Sequence, residues 1–199
     1  MVRYILVILL FIISIPTQAK TILVVGDSLS AAFNIKEDTG WVYLLKNRLT
    51  KLSTSYDVVN ISTSGDTTSN GLAKLSAALK RYQPTIAIIE LGANDGLRGL
   101  PLTIMEQNLA MMISQAQKVH ANVLLLATPL PPNYGITFLT KFNQVYKNLA
   151  AQYHVILIPM FLNGVAGHSK LMQPDGLHPN QDGQSIILDN IWPVLKSML

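Results

Sequence analysis

Near the carboxyl terminus of this 199-residue chain, Asp175-Gly176-Leu177-His178 sets a carboxylate and an imidazole three residues apart in a turn. Groups so spaced can approach each other, and a carboxylate bonded to imidazole Nδ1 fixes the tautomer that leaves Nε2 free as a base. A base of that kind serves a nucleophile, and a serine stands in Gly26-Asp27-Ser28-Leu29-Ser30, directly behind the apolar run at 21–25. Asp-Ser in that place is also an ordinary helix cap, so Ser28 alone decides nothing. Two further segments offer hydrogen-bond donors. The small residues of Ser62-Thr63-Ser64-Gly65-Asp66-Thr67-Thr68 leave backbone N–H groups accessible, as an anion cradle requires, although a Ser/Thr-rich helix start reads the same way. In Leu91-Gly92-Ala93-Asn94-Asp95-Gly96, Asn94 either donates inward or forms an Asn-Asp turn. The other histidines, His120, His154 and His168, have no carboxylate at comparable spacing; the first two read as surface or helix-end residues and the third as a loop residue.

Three of these segments directly follow apolar runs, and the Asp175–His178 turn stands just before the last predicted helix. Residues 21–25, 58–61, 85–89, 122–126 and 155–158 are almost continuously apolar, the pattern of strands buried on both faces of a parallel sheet. Between them the spacing predicts helices over 41–52, 71–82, 101–120, 137–153 and 181–199. Pro101 suits a first helical turn, where its missing N–H would have no partner. Leu102, Met105, Leu109, Met112, Ile113 and Ala116 then recur at helical steps, so these methionines read as core filling rather than a cofactor stripe. Five such units give an α/β chain: a three-layer αβα sandwich on a mostly parallel five-stranded sheet. Ligands of such folds sit beyond the carboxyl ends of the strands. The serine, the glycine loop, the asparagine and the Asp-His pair therefore meet at one sheet edge, supplying the nucleophile, base, orienter and oxyanion donors that acyl transfer needs.

Composition removes several alternatives. With no cysteine, disulfides, thiolate catalysis and Cys-ligated metals are excluded. Charged residues make up 13%, against about 25% in ordinary globular chains, and half the residues are hydrophobic, which argues against disorder. The net charge of +4 is spread without a basic run, so nucleic acid is not an expected partner. No His-x-x-x-His or Asp-x-Asp pair suggests a metal, so activity should survive EDTA. No cofactor is expected.

Met1-Val2-Arg3, an apolar run from Tyr4 to Ile15, and Pro16-Thr17-Gln18-Ala19 have the form of a signal peptide cleaved after Ala19. The apolar run is too short to cross about 30 Å of hydrocarbon. The expectation is a signal at residues 1–19, one domain at 20–199, a periplasmic or secreted location and no membrane span after cleavage.

The order and wording of the four motifs resemble the SGNH (GDSL) hydrolase family: Gly-Asp-Ser-Leu-Ser at 26–30, Ser-Gly-Asp-Thr at 64–67, Glu-Leu-Gly-Ala-Asn-Asp-Gly-Leu-Arg-Gly at 90–99, and Asp-Gly-Leu-His-Pro-Asn at 175–180. Within it the chain is similar to the exported thioesterase I, lysophospholipase and arylesterase group, through the long third block and Leu130-Pro131-Pro132-Asn133-Tyr134-Gly135. The resemblance implies a flavodoxin-like sheet, a Ser28-His178-Asp175 triad, and an oxyanion hole from the Ser28 and Gly65 N–H groups and the Asn94 amide. It implies a serine esterase acting on small acyl esters or thioesters, lysophospholipids included, and a monomer is expected. One departure is Ala31-Ala32, where the family commonly has a glycine; it either narrows the pocket floor or has no effect.

Segments following the strands suggest Leu97, Leu100, Leu102, Tyr134, Ile136, Phe138, Phe161 and Leu162 as residues of an acyl pocket, with Arg98 facing either an anionic headgroup or solvent. Gly96 and Gly99 flank Leu97-Arg98 and suggest a loop that moves over the substrate. Rival readings are a carbohydrate O-deacetylase of the same family and a non-catalytic exported ligand-binding protein. The second lacks any Gly-x-x-x-x-Gly-Lys or Gly-x-Gly-x-x-Gly phosphate motif.

Overall fold

In a strand, successive side chains point to opposite faces, so a continuous apolar run needs cover on both sides. The computed structural model describes residues 20–199 and shows that cover. The expected signal segment lies outside the described residues. Five parallel strands, β1 (Lys20–Gly26), β2 (Tyr56–Asn60), β3 (Ile86–Glu90), β4 (Asn122–Leu126) and β5 (Ile156–Ile158), lie in the order β2-β1-β3-β4-β5. From β1, Ile22 and Val24 pack with Trp41, Leu45 and Leu49 of α1 (Trp41–Lys51) and with Ile187 and Ile191 of α6 (Gln184–Lys196). Leu23 and Val25 face the other way, onto Leu75 of α2 (Thr68–Tyr82), Met105, Leu109 and Met112 of α4 (Leu102–Lys118), and Phe142 and Tyr146 of α5 (Ile136–Tyr153). The expected αβα sandwich is present, and the α4 methionines are core. No helix among the described residues is long and apolar enough to cross a membrane.

Local differences from the expected elements have local causes. Helix α2 begins at Thr68 rather than Gly71, because Thr67 and Asn70 form a reciprocal capping box. Gly71 lies inside the helix, where a Cβ would stand 2.1 Å from Leu91 Cδ1; it is a point of close approach to the sheet, not a helix start. The stretch Ala93–Leu97, read as a turn, is a short helix, α3, entered through Gly92 at φ 119°. Five residues are too few to show a helical period. His120 (φ 63°) and His154 (φ 53°) both sit where a helix ends, as expected.

From β1 the chain moves outward to β2, then returns across β1 to β3. The loops leaving β1 and β3 thus diverge and open a crevice at the carboxyl edge, the usual ligand position in such sheets. Ser28 follows β1 there, and Asn94 follows β3.

Candidate active site

The turn after β1 is set by what packs beneath it. A Cβ at Gly26 would stand 2.7 Å from both Glu90 Oε2 and Ser30 Oγ, so only glycine lets the chain bend there. The next residue, Asp27, is buried, and its Oδ1 accepts the Leu29 N–H at 3.0 Å. Ser28 then projects into the crevice.

Across it lies the turn before α6. Asp175 Oδ1 accepts the N–H groups of Leu177 (2.9 Å) and His178 (3.0 Å), while Oδ2 lies 2.7 Å from His178 Nδ1. The other ring nitrogen, Nε2, is 2.9 Å from Ser28 Oγ. The turn is closed by Asn180, whose side-chain oxygen accepts from Asp182 and Gly183 at the entry to α6. Slight burial pushes the Asp175 carboxyl up, but the His178 and Leu177 hydrogen bonds outweigh it and hold the group below the ordinary carboxylate value. An imidazole placed this way can take the hydroxyl proton through Nε2 while Nδ1–H stays bonded to the carboxylate.

Asn94 Nδ2 donates to Asp27 Oδ2 (3.1 Å) and to the Asp66 carbonyl (3.0 Å), which joins the β3 loop to the glycine loop. Gly65, at φ 84°, presents its carbonyl to Arg98 Nη2 at 2.8 Å. Among the described residues the backbone N–H groups of Ser28 and Gly65 have no acceptor. The five residues inferred from the motifs are therefore drawn to one edge: Ser28, His178 and Asp175 in a continuous chain, Asn94 and Gly65 beside them through Asp27 and Asp66.

A cavity of about 490 Å³ opens next to Ser28 and His178. Its apolar lining comes from Leu97, Pro129, Leu130, Pro131, Pro132, Met160, Leu162, Met172 and Leu177. Of the substrate-binding residues inferred from sequence, Leu97 and Leu162 line it and the others do not. Phe161 is fully buried in the core between the sheet and α1 and α6, and its neighbour Leu162 reaches the cavity instead. Ile136, at the first turn of α5, is 79% exposed, and Leu100 is exposed as well. Tyr134 spends its hydroxyl on the Leu97 carbonyl (2.9 Å), bracing the end of α3, and Arg98 is engaged with Gly65. His168 is likewise outside the lining. Neither Ala31 nor Ala32 lines the cavity. Ala32 adopts φ 56°, a backbone conformation that favours glycine, and lies against Gly40, where a Cβ would be 2.8 Å from its own.

A buried carboxylate pair escaped the sequence reading. Glu90, fully buried, is the register partner of Gly26; its Oε2 accepts from Ser30 Oγ (2.8 Å) and the Asp27 N–H (3.3 Å), and its Oε1 from Thr128 Oγ1 (3.1 Å). Burial, then the neighbouring Asp27 charge, pushes Glu90 well above the ordinary carboxylate range. Burial likewise pushes Asp27 up to about 6, against hydrogen bonds from Leu29 and Asn94 and the proximity of His178. The available signal was a lone acid ending an otherwise apolar strand. No group of three or more His, Asp or Glu among the described residues is arranged to hold a metal.

A family model described as the GDSL-like lipase/acylhydrolase family matches residues 24–186. The chain is 47% identical over 190 residues to the esterase TesA of Pseudomonas aeruginosa, covering 96% of this chain and 94% of that one. It is 41% identical over 171 residues to thioesterase 1/protease 1/lysophospholipase L1 of Escherichia coli, covering 86% and 81%. Its fold is similar to the crystal structure of the psychrotrophic esterase EstA from Pseudoalteromonas sp. inhibited by monoethylphosphonate, with a TM-score of 0.85, 37% identity, and coverage of 89% and 97%.

Proposed function

Because the chain belongs to the GDSL-like lipase/acylhydrolase family, we propose that Ser28, His178 and Asp175 are the catalytic triad through which it acts as a serine esterase on small acyl esters and thioesters. The observation that carries this is the unbroken contact from Asp175 Oδ2 to His178 Nδ1 at 2.7 Å and from His178 Nε2 to Ser28 Oγ at 2.9 Å. Ser28 Oγ attacks the acyl carbonyl carbon as its proton passes to His178 Nε2. The oxyanion that forms receives the Ser28 and Gly65 N–H groups and one hydrogen of the Asn94 amide, released from its present acceptor. When the tetrahedral adduct collapses, the bond to the leaving alcohol or thiol breaks and His178 returns the proton to it. Water, deprotonated by the same imidazole, then splits the acyl-enzyme and restores Ser28.

The apolar cavity favours fatty acyl chains, and lysophospholipids among the esters, over acetylated sugars, which would call for a polar cleft. The inhibition of the EstA neighbour by a phosphonate agrees with a nucleophile of this kind. The working enzyme is taken to be one monomeric domain, residues 20–199, exported after removal of residues 1–19. Amino-terminal sequencing of the exported protein should begin at Lys20, and Arg3 retained there would refute export by cleavage.

Hydrolysis of p-nitrophenyl acetate, octanoate and palmitate by the purified protein and its Ser28→Ala variant tests the main reading. Activity should vanish with Ser28, and octanoate or palmitate should outrank acetate. Activity surviving the substitution would end the serine mechanism, and a preference confined to acetate would favour the O-deacetylase.

A further inference from the structure

The two hydrogen bonds of His178 lie along one axis of its ring and leave it free to tilt about that axis. Its carboxylate partner does not prevent this, since Asp175 sits on an open turn with 40% of its side chain exposed. A face of the ring is covered, however: Phe33 packs on it with ring centroids 4.6 Å apart and planes 42° from each other. The Phe33 backbone reaches that place through two left-handed residues on either side, Ala32 and Asn34, each at φ 56°. Such residues persist only where the surroundings over-determine them.

The surroundings here are Gln173, almost fully buried. Its Nε2 donates to the Phe33 carbonyl (2.9 Å) and the Pro179 carbonyl (3.1 Å), its Oε1 accepts from Asn34 Nδ2 (3.2 Å), and its backbone N–H donates to the His178 carbonyl (2.7 Å). One side chain thus uses both hydrogens and its oxygen to tie the segment that follows the nucleophile to the segment that carries the base. Phe33 N–H also returns to the Ser28 carbonyl at 3.1 Å.

We propose that Phe33, tied down by Gln173, is a positioning residue that clamps the His178 imidazole in the plane from which Nε2 meets Ser28 Oγ. The clamp rests on the triad reading above. It acts on the base and not on the acyl group: neither Phe33 nor Gln173 lines the acyl cavity, and the recess that Phe33 shares with Ser28 and His178, about 10 Å³, is too small for an acyl chain. Removing the ring should therefore lower kcat and leave KM alone, and a replacement aromatic should restore kcat.

The test compares Phe33→Ala, Phe33→Leu and Phe33→Tyr with the wild type and Ser28→Ala on p-nitrophenyl acetate, whose short acyl group makes little use of the cavity. For Phe33→Ala and Phe33→Leu, kcat should fall about ten- to a hundredfold, the scale of a small misplacement of a catalytic group, with KM within about twofold. Phe33→Tyr should stay close to the wild type. The proton NMR signal of His178 Nδ1–H should persist in the wild type and Phe33→Tyr and be lost to exchange in the other two. Should Phe33→Ala fail to fold, Phe33→Leu, which keeps most of the volume, decides. An unchanged kcat in Phe33→Leu, an equal loss in Phe33→Tyr, or a loss carried by KM alone would overturn the clamp. If Ser28→Ala kept full activity, the triad reading itself would fall; if only the Phe33 variants did, the clamp alone would.

Discussion

The side-chain amide of Asn94 is anchored on the buried carboxylate of Asp27, Nδ2 to Oδ2 at 3.1 Å, and its second hydrogen goes to the Asp66 carbonyl. The amide is thus pre-aimed between the nucleophile turn and the glycine loop, and an oxyanion forming at Ser28 competes for a hydrogen already in place. Asn94→Ala should lower kcat by about 10²–10³ with little change in KM, as expected for a donor that acts in the transition state. Asp27→Asn should cost less, because its amide oxygen can still accept one of the two bonds. Steady-state kinetics on one ester would establish the order, and an unchanged kcat in Asn94→Ala would remove Asn94 from the oxyanion site.

Glu90 carries a pH signature. Its folded-state pKa is raised, so the stability linked to its protonated form is complete below the ordinary carboxylate value and is lost as pH rises through the folded value. Asp27 works in the same direction over the window from 3.8 to about 6. Glu90→Gln is a neutral mimic that can keep all three partners, accepting from Ser30 and the Asp27 N–H and donating to Thr128. Melting curves at pH 5, 6.5 and 8 should show the variant gaining on the wild type as pH rises, with esterase activity retained. Parallel curves would mean that Glu90 is ionised throughout.

The strands and the face of α4 were legible because burial on both sides of a parallel sheet leaves a continuous apolar run, and a helix against it leaves a period. That Ser28, Gly65, Asn94, Asp175 and His178 meet at one sheet edge was legible because each follows a strand or precedes a helix in a loop of small residues. Phe161 and Ile136 were not placed correctly, since sequence gives nearness to a strand end but not which way the chain turns beyond it: Phe161 turns into the core and Ile136 to solvent. Glu90 went unnoticed because its partners, Ser30 and Thr128, lie 60 and 38 residues away. Phe33 did too, because its contact with His178 depends on two left-handed residues that no local pattern announces.

Gly96 illustrates the same limit. Its sequence context suggests a hinge, yet within α3 it is a packing site: a Cβ there would stand 2.4 Å from Leu130 Cδ1 and 2.9 Å from Phe142 Cε2. Phe142 is fixed in the core, so Leu130, which lines the cavity, must give way. Gly96→Ala should destabilise by about 1–3 kcal/mol, the usual cost of overpacking. It should also lower kcat/KM for octanoate relative to acetate. A chain-length ranking identical to the wild type would show that Leu130 moves elsewhere.

Asp175 combines exposure with a strict task. In Asp175→Asn the side-chain oxygen can still accept the Leu177 and His178 N–H groups, so the turn should keep its shape, but the amide presents a donor where the imidazole needs an acceptor. The ring then loses the tautomer that frees Nε2, and kcat should fall by roughly 10³–10⁴ with KM nearly constant. The sign of its pH effect is opposite to that of Glu90. Because the folded-state pKa is lowered, the stability from its hydrogen bonds is fully present above the ordinary value of 3.8 and is lost as pH falls through the lower folded value. The difference in melting temperature between wild type and Asp175→Asn should therefore stay constant from pH 5 to 8 and shrink below about pH 4. A difference that does not shrink below pH 4 would show that the Asp175 carboxyl is not held below its ordinary value.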